Sequence, residues 1–236
     1  MSKIYFVMPA YNEAENIEDT IRQWYPVVEK TGEECRLVIA NDGSRDDTYQ
    51  KMIALQKEYP QLIPLDKPNS GHGATVLYLY RYGIEHGAEY IFQTDSDGQT
   101  NPQEFWQMYD NREKYDFQIG HRLGRQDGGS RVFVTKTLRI VVWLMFHEWV
   151  LDANTPFRLM NVEKLKPILE VIPKDYFLCN VAISAIAVKW KYNIGWYRIT
   201  FKPRQGGVNS INMRRIFKIG WKALGDFKTI NSKLKR

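Results

Sequence analysis

Asp95-Ser96-Asp97 is the segment whose residue types and spacing point most directly to chemistry. Alternate residues of an extended segment point to the same side, so the two carboxylates can reach one site. Two carboxylates that close repel each other unless a cation neutralises them. A hard divalent ion such as Mg²⁺ or Mn²⁺ takes oxygen ligands and leaves positions open for substrate phosphates. The spacing therefore predicts a metal site at Asp95 and Asp97, to which Gln99 could add an amide oxygen.

A second polar segment, Asp42-Gly43-Ser44 followed by Asp46, comes directly after an apolar run. These residue types are usual in a turn that caps a helix. The same turn can aim Asp42 at a nucleobase or a ribose, so the structural and the functional interpretation both stay open.

Arginines form a third group of candidates, because Arg122, Arg125 and Arg131 follow an apolar segment at 116–120. The planar donor fork of a guanidinium group matches the oxygens of a phosphate. Surface arginines are common, and a solvent-exposed role is equally open on this observation alone.

Other familiar sites do not match the sequence. Gly71-His72-Gly73 supplies two glycines of a dinucleotide fingerprint, but Val76 stands at the third and no ribose-binding acid follows, which excludes a Rossmann dehydrogenase. The four histidines share no metal-ligand spacing, so we interpret them as structural or surface residues. Cys35 and Cys179 predict no disulfide, which is typical of a reducing cytoplasm.

Strands and helices alternate through the first half of the chain. Apolar runs predict strands at 3–8, 36–40, 62–65, 90–93 and 116–120, with helices between them. Asn12 and Glu15 predict a capping box at the start of the first helix. The alternation predicts an α/β fold with a mostly parallel sheet flanked by helices, whose ligands bind beyond the carboxyl ends of the strands.

The second half is less regular and ends in a basic tail. The apolar run at 138–151 is too short to span a bilayer, so it predicts either a buried or an interfacial amphipathic helix. Residues 212–236 carry eight Lys or Arg against one acid. The tail therefore has a net charge of +7, whereas the whole chain has a net charge of +6. We therefore expect one domain over 1–211 and a basic amphipathic tail over 212–236 that contacts an anionic surface.

The segments together resemble family 2 glycosyltransferases of the GT-A fold and, within them, the dolichyl- or polyprenyl-phosphate hexose synthases. Matching motifs follow the family's order over nearly the whole chain: Pro9-Ala10-Tyr11-Asn12-Glu13, Asn41-Asp42-Gly43-Ser44, Asn69-Ser70-Gly71-His72-Gly73-Ala74, Asp95-Ser96-Asp97-Gly98-Gln99, Gly120-His121-Arg122 with Arg131, Asp152 with Phe157-Arg158, and Arg204 with Gly207 and Ser210.

The resemblance implies inverting, metal-dependent transfer of a hexose from a UDP- or GDP-linked sugar to a polyprenyl-phosphate-type lipid. The implied donor-binding residues are Pro9, Tyr11, Glu13, Asp42, Gly73, Asp95 and Ser96. Mg²⁺ or Mn²⁺ would be held by Asp95, Asp97 and Gln99, and phosphates by Arg122, Ser130 and Arg131. Asp97, Arg122 and Asp152 are the implied catalytic residues. If the acceptor is instead a sugar hydroxyl of a lipid-linked or polysaccharide glycan, Asp152 is the candidate base.

Departures from the family's pattern affect the acceptor more than the donor. Thr100-Asn101-Pro102 stands where a histidine and prolines commonly follow the metal motif, and Pro156 replaces a glycine. A nucleotidyltransferase would need a glycine- and lysine-rich activation loop near the N-terminus, and a non-catalytic binding module would be expected to lack Asp95 or Asp97. We expect a cytoplasmic enzyme, peripheral at the inner face of the membrane, that contacts lipid or a membrane partner protein and no nucleic acid.

Overall fold

The structure, a computed structural model of the chain, describes residues 2–122, 143 and 150–202. Predictions for Ser130, Arg131, most of the apolar run at 138–151 and the tail at 212–236 lie outside the described residues. The elements, in chain order, are β1 (Ile4–Ala10), α1 (Ile17–Thr31), β2 (Arg36–Asp42), α2 (Thr48–Gln56), β3 (Leu62–Lys67), α3 (His72–Glu85), β4 (Tyr90–Gln93), a 3₁₀ helix (Pro102–Glu104), α4 (Phe105–Tyr109), β5 (Phe117–Arg122), β6 (Arg158–Asn161), α5 (Val162–Val171), α6 (Cys179–Lys189) and β7 (Ile194–Ile199).

The strands form one sheet in the order β3-β2-β1-β4-β6-β5-β7. β1 pairs in parallel with β2 and β4, β2 with β3, and β5 with β7, whereas β6 runs antiparallel to both β4 and β5. The predicted α/β class with a mostly parallel sheet is confirmed. Neither β6 nor α5 is predicted from the sequence, because β6 has four residues and begins with an arginine, which leaves too short an apolar pattern.

The central strand β1 is buried at every position, as a parallel strand covered on both faces must be. On one face the Phe6 ring packs against Phe105 and Trp24, with centroid distances of 4.8 Å and 6.3 Å. On the other face lie α3 and α6, and α6 is buried continuously from Cys179 to Ala187. The two layers hold the strands rigidly, so the loops at the strand ends have fixed anchors.

The ends of the helices test the capping predictions. The capping box at Asn12 is wrong: α1 begins at Ile17 after the N-cap Asn16, and Asn12 has a left-handed backbone with φ of 53°. Its side chain is used elsewhere, because Asn12 Oδ1 accepts a hydrogen bond from the amide of Arg45 at 2.9 Å. Asn101 followed by Pro102 is also a helix-start pattern in the sequence, and the structure confirms it, since Asn101 Oδ1 accepts from the Gln103 amide at 3.1 Å.

Among the helices of the described ranges, none is both long and apolar enough to cross a bilayer.

Candidate active site

The carboxyl ends of β1, β2, β4 and β5 open onto one edge of the sheet. β4 is parallel to β1 and antiparallel to β6, and β6 is antiparallel to β5, so all four strands run the same way. The polar segments predicted from the sequence follow these strands directly. The topology therefore brings the donor, metal and arginine candidates to the same edge, where ligands of open α/β sheets bind.

The loops after β1 and β2 are cross-linked by hydrogen bonds. The Asn12 amide donates to Ser44 Oγ and the Glu13 amide to Thr48 Oγ1, both at 2.9 Å, and Ala14 N donates to Asp46 Oδ2 at 3.1 Å. Burial raises the pKa of Asp46, but the hydrogen bonds from Thr48 and Ala14 outweigh it, and the net shift is downward. The two loops thus behave as one rigid wall of the edge.

Tyr11 and Glu13 occupy different depths in this wall. Tyr11 is 45% exposed, so its ring offers an open face at the edge of the sheet. Glu13 is buried, and its Oε2 accepts a hydrogen bond from the Asn16 side chain at 3.0 Å. A flat apolar ring beside a fixed carboxylate is the combination that a nucleoside needs for stacking and hydrogen bonding.

Asp42 is buried and holds the loop that leads into α3. Its Oδ1 accepts from the Ser70 amide at 2.8 Å and from Lys67 Nζ at 2.5 Å, and its Oδ2 accepts from the Gly71 amide at 2.9 Å. Desolvation raises the pKa of Asp42, while Lys67 and the backbone of Ser70 lower it by more, so the carboxylate stays charged. Asp42 therefore shapes the edge of the sheet through Ser70 and Gly71, and its role in donor binding stays a prediction.

The Asp95–Asp97 segment forms a tight loop held from both sides. Ser96 Oγ donates to the Pro9 carbonyl at 2.8 Å, and Thr20 Oγ1 donates to the Ser96 carbonyl at 3.0 Å. Ser96 is buried, whereas Asp95 and Asp97 are partly exposed on either side of it. The alternation expected from the sequence is thus present, with the central serine as the anchor.

Gln99 ties this loop to the segment after β7. Its Nε2 donates to the Lys202 carbonyl at 2.7 Å, and its own carbonyl accepts from the Lys202 amide at 2.8 Å. The neighbouring Thr100 forms an isolated bridge with Phe201. The buried Gln99 side chain therefore serves as a tether in the structure, a contact that its spacing from Asp97 does not reveal.

Two partly exposed carboxylates on a rigid loop suit a hard divalent ion that also binds substrate oxygens. Among the described residues, His, Cys, Asp and Glu form no group of three or more that could enclose a metal by themselves. Asp95 and Asp97 therefore fit an open site completed by a ligand's phosphates, and they do not fit a closed structural site.

His72, which the sequence alone indicates as a structural or surface residue, lies at the candidate site. It is the first residue of α3, and its Nε2 lies 3.1 Å from Asp95 Oδ1. Desolvation lowers the pKa of His72, but the carboxylates of Asp95, Asp97 and Asp42 raise it by more. The sequence signal that could have identified His72 is its position, since it is the first residue of the helix that follows the carboxyl end of β3.

Gly73 lies where α3 meets the segment before α6. A β-carbon on Gly73 would sit 2.4 Å from the Phe177 carbonyl oxygen and 2.5 Å from the Tyr176 carbonyl oxygen. Such distances are far inside van der Waals contact, so this position requires a residue without a side chain. The structure thereby gives Gly73 a packing role next to His72.

Arg122 and Asp152 form a buried bidentate pair. Arg122 Nε donates to Asp152 Oδ2 at 2.9 Å and Nη2 donates to Oδ1 at 2.8 Å, and both side chains are less than a tenth exposed. The Arg122 guanidinium also lies over the Phe201 ring at 5.1 Å. Because Phe201 bridges to Thr100, the arginine pair adjoins the loop that carries Asp95 and Asp97.

The model of glycosyl transferase family 2 matches residues 5–169, which is more than half of the chain and includes the loops after β1, β2 and β4. The chain belongs to glycosyl transferase family 2. It is a glycosyltransferase with the GT-A fold, and the expected family and fold are confirmed.

Similar proteins include dolichyl-phosphate sugar transferases. The UDP-N-acetylglucosamine–dolichyl-phosphate N-acetylglucosaminyltransferase of Methanococcus voltae is 25% identical over 81% of this chain and 82% of that protein. Dolichyl-phosphate beta-glucosyltransferase ALG5C of Trichomonas vaginalis is 32% identical, over 45% of this chain and 33% of that protein. Poly-beta-1,6-N-acetyl-D-glucosamine synthase of Staphylococcus aureus is 25% identical over 85% of this chain and 48% of that protein.

Solved structures show the same fold. Glucosyl-3-phosphoglycerate synthase from Mycobacterium tuberculosis, in complex with Mn²⁺, UDP and glucosyl-3-phosphoglycerate, has a TM-score of 0.72 at 16% identity, and the match covers 98% of this chain and 80% of that chain. The same enzyme with Mn²⁺, UDP-glucose and phosphoglyceric acid matches with a TM-score of 0.72 at 17% identity.

Proposed function

We propose that this glycosyltransferase transfers a hexose, with inversion and with the help of a divalent metal ion, from a nucleotide-sugar to a polyprenyl-phosphate-type lipid. The observation that carries the acceptor class is the Arg122–Asp152 pair. Both Asp152 oxygens accept hydrogen bonds from Arg122, and the pair is buried. A carboxylate held this way is a poor base, and an acceptor that is already an anion needs none.

The donor is proposed to bind along the wall formed by the loops after β1 and β2. The exposed Tyr11 ring would stack on the base, and the buried Glu13 together with Pro9 would bound the nucleoside. Asp42 would act through the Ser70–Gly71 backbone that it holds in place. UDP in the glucosyl-3-phosphoglycerate synthase structures and UDP-N-acetylglucosamine in the name of the Methanococcus voltae relative favour a uridine donor.

Asp95 and Asp97 are the residues that would hold Mn²⁺ or Mg²⁺, with Gln99 keeping their loop in register. When bound, such an ion supplies positive charge against the diphosphate of the donor and so favours its departure. Support comes from the open two-carboxylate arrangement and from Mn²⁺ in the complexes of glucosyl-3-phosphoglycerate synthase.

The reaction would be one displacement at the anomeric carbon. A phosphate oxygen of the acceptor forms the new bond to that carbon from the face opposite the diphosphate, and the nucleoside diphosphate leaves with the electron pair of the broken bond. No proton has to move. Arg122 Nη1, which neither Asp152 contact uses, would donate to an acceptor phosphate oxygen. Ser130 and Arg131 are proposed as further phosphate contacts on the resemblance alone.

A hydroxyl acceptor is the second candidate. The Staphylococcus aureus synthase extends a polysaccharide by its name, and the solved glucosyl-3-phosphoglycerate synthase is seen with phosphoglyceric acid. For that reaction Asp152 would have to leave Arg122 in order to accept a proton.

Three acceptors test the proposal. The protein is incubated with UDP- and GDP-linked hexoses and Mn²⁺, and with polyprenyl phosphate, the corresponding polyprenol, or phosphoglyceric acid. Mass spectrometry should detect a hexosyl product with polyprenyl phosphate alone, and NMR of that product should show the anomeric configuration opposite to that of the donor. Transfer to phosphoglyceric acid or polyprenol, with none to polyprenyl phosphate, would refute the lipid-phosphate acceptor.

A further inference from the structure

Arg158, the first residue of β6, has a completely buried guanidinium group. Its Nε and Nη2 donate to the Thr155 carbonyl at 3.1 Å and 2.6 Å, and Nη2 also lies 3.3 Å from the Ala153 carbonyl. Its Nη1 contacts the Asn180 carbonyl at 3.3 Å and Ser184 Oγ at 3.4 Å. One side chain therefore joins the 153–155 segment to helix α6.

Burial of a charged group is unfavourable unless its donors are satisfied. Burial lowers the pKa of Arg158, and the nearby Tyr80, Cys179 and Asp152 oppose that shift. An apolar side chain would fill the same volume without the desolvation penalty, but it could not bind three backbone carbonyls at once. This position therefore requires the several N–H donors of a guanidinium group.

Two of the three carbonyls that Arg158 binds, those of Ala153 and Thr155, belong to the segment directly after Asp152. Ser184 Oγ lies 3.2 Å from the same Ala153 carbonyl and 2.8 Å from the Asn180 carbonyl of its own helix, so α6 contacts this segment directly through Ser184 and also through Arg158. The backbone after Asp152 is consequently fixed to a buried helix. Because Asp152 in turn binds two nitrogens of Arg122, the position of that arginine depends on the same support.

We propose that Arg158, with Ser184, is a positioning residue for the acceptor side of the active site: it fixes the 153–155 segment, and through Asp152 it sets the orientation of the Arg122 guanidinium. This inference rests on the proposed function only in its choice of the acceptor that Arg122 binds. The chain of contacts from α6 to Arg122 is independent of which phosphate the enzyme uses.

Ser184→Ala and Arg158→Lys test the role, with Thr31→Val as the matched control. Thr31 is equally buried and donates its hydroxyl to the Val27 carbonyl at 2.7 Å, but it lies at the end of α1. Ser184→Ala should raise the KM for polyprenyl phosphate by about fivefold, the effect of one hydrogen bond, and Arg158→Lys should raise it further. The affinity for UDP, measured by calorimetry, should stay unchanged in both, and the control should change neither constant.

A spectroscopic measurement separates this role from the proposed function. In protein carrying ¹⁵N-arginine, the Arg122 Nε–H signal, assigned with Arg122→Lys, should exchange slowly with water because Asp152 accepts from it. Ser184→Ala should speed that exchange about fivefold. If wild type fails to glycosylate polyprenyl phosphate, the proposed function fails and this exchange rate still decides the positioning role. Unchanged exchange and unchanged acceptor KM in folded Ser184→Ala would overturn it, as would an equal loss of UDP affinity.

Discussion

Asp95 and Asp97 share one short loop, yet their immediate neighbours differ. Asp95 Oδ1 faces His72, whereas Asp97 Oδ1 accepts a hydrogen bond from the Gln99 amide at 3.2 Å, within its own loop. We therefore expect Asp97 to supply a ligand oxygen to the proposed metal. The contact with His72 would hold the Asp95 carboxylate in place.

We expect Asp97→Asn to lower turnover by on the order of 10²- to 10³-fold, the usual effect of losing one preorganised electrostatic contact at a departing charge. Chelation with EDTA should abolish turnover, and added Mn²⁺ or Mg²⁺ should restore it. Asp19→Asn, on the exposed face of α1, is the control and should behave as wild type. Wild-type turnover by folded Asp97→Asn would remove Asp97 from the site.

Asp42 gives a pH-dependent prediction. Its folded-state pKa is lowered, so its contribution to the free energy of unfolding is present above the unfolded pKa of about 3.9 and is lost as the pH falls through the folded value. Asp42→Asn should cost about 1.5–3 kcal/mol at pH 7, the range for hydrogen bonds to a charged group. Urea unfolding at pH 7 and at lower pH should show the difference from wild type shrinking in acid.

The exposed neighbour Asp47 supplies the control, because Asp47→Asn should leave the unfolding free energy nearly unchanged at every pH. Calorimetry with UDP on the same variants separates two roles of Asp42. We expect weaker binding in Asp42→Asn because the amide side chain keeps only one of the two oxygens that accept from the Ser70 and Gly71 amides. A constant difference in unfolding free energy down to the lowest pH at which the protein folds would contradict the pKa shift.

At the scale of elements, α3 packs most tightly at Gly73, where it meets the segment before α6. Of the glycines that the structure describes, Gly73 leaves the least space for a β-carbon. Gly73→Ala would place a methyl group against the Tyr176 and Phe177 carbonyls, so the two elements must separate. Overpacking of this kind costs about 1–3 kcal/mol. Urea unfolding should report that loss, and UDP affinity should fall because His72 moves with the helix end.

Tyr78→Ala is the matched control on the same helix, because Tyr78 is 38% exposed and the substitution adds no volume. It should change stability by much less than Gly73→Ala. Equal stability of wild type and Gly73→Ala would mean that the segment before α6 gives way without cost, and the packing role of Gly73 would be wrong.

At the scale of the whole molecule, the uneven charge predicts how the enzyme meets its acceptor. Residues 212–236, outside the described ranges, carry a net charge of +7, and the remainder of the chain is nearly neutral. Each Lys or Arg near an anionic surface contributes about 1 kcal/mol. We expect the protein to co-sediment with anionic vesicles, to be released by salt, and to lose binding when the residues after Ile211 are removed.

Neutral phosphatidylcholine vesicles and charge-neutralised Lys or Arg variants of the tail are the controls for that experiment. Full recovery in the supernatant with anionic vesicles at low salt would count against attachment through the tail. Binding that survives both salt and truncation would instead point to an apolar surface elsewhere, such as the run at 138–151.

The sequence by itself determines the α/β alternation and most strand positions, because both depend on local periodicity. It also determines the type of residue at each strand end: the pair Asp95 and Asp97 is readable since its spacing of two is a property of any extended chain. The capping box at Asn12 fails for the opposite reason, because Ser44 and Arg45, distant in sequence, compete for its polar atoms.

Only the tertiary structure decides how those residues are paired. His72 contacts Asp95, which lies 23 residues further along the chain, and Arg122 contacts Asp152, 30 residues further along. No periodic pattern in the sequence carries information over such separations. The same holds for Arg158, whose role depends on carbonyls supplied by both its own segment and α6. Backbone groups carry no sequence signature, so a residue that works by binding them becomes visible only when the fold has placed them around it.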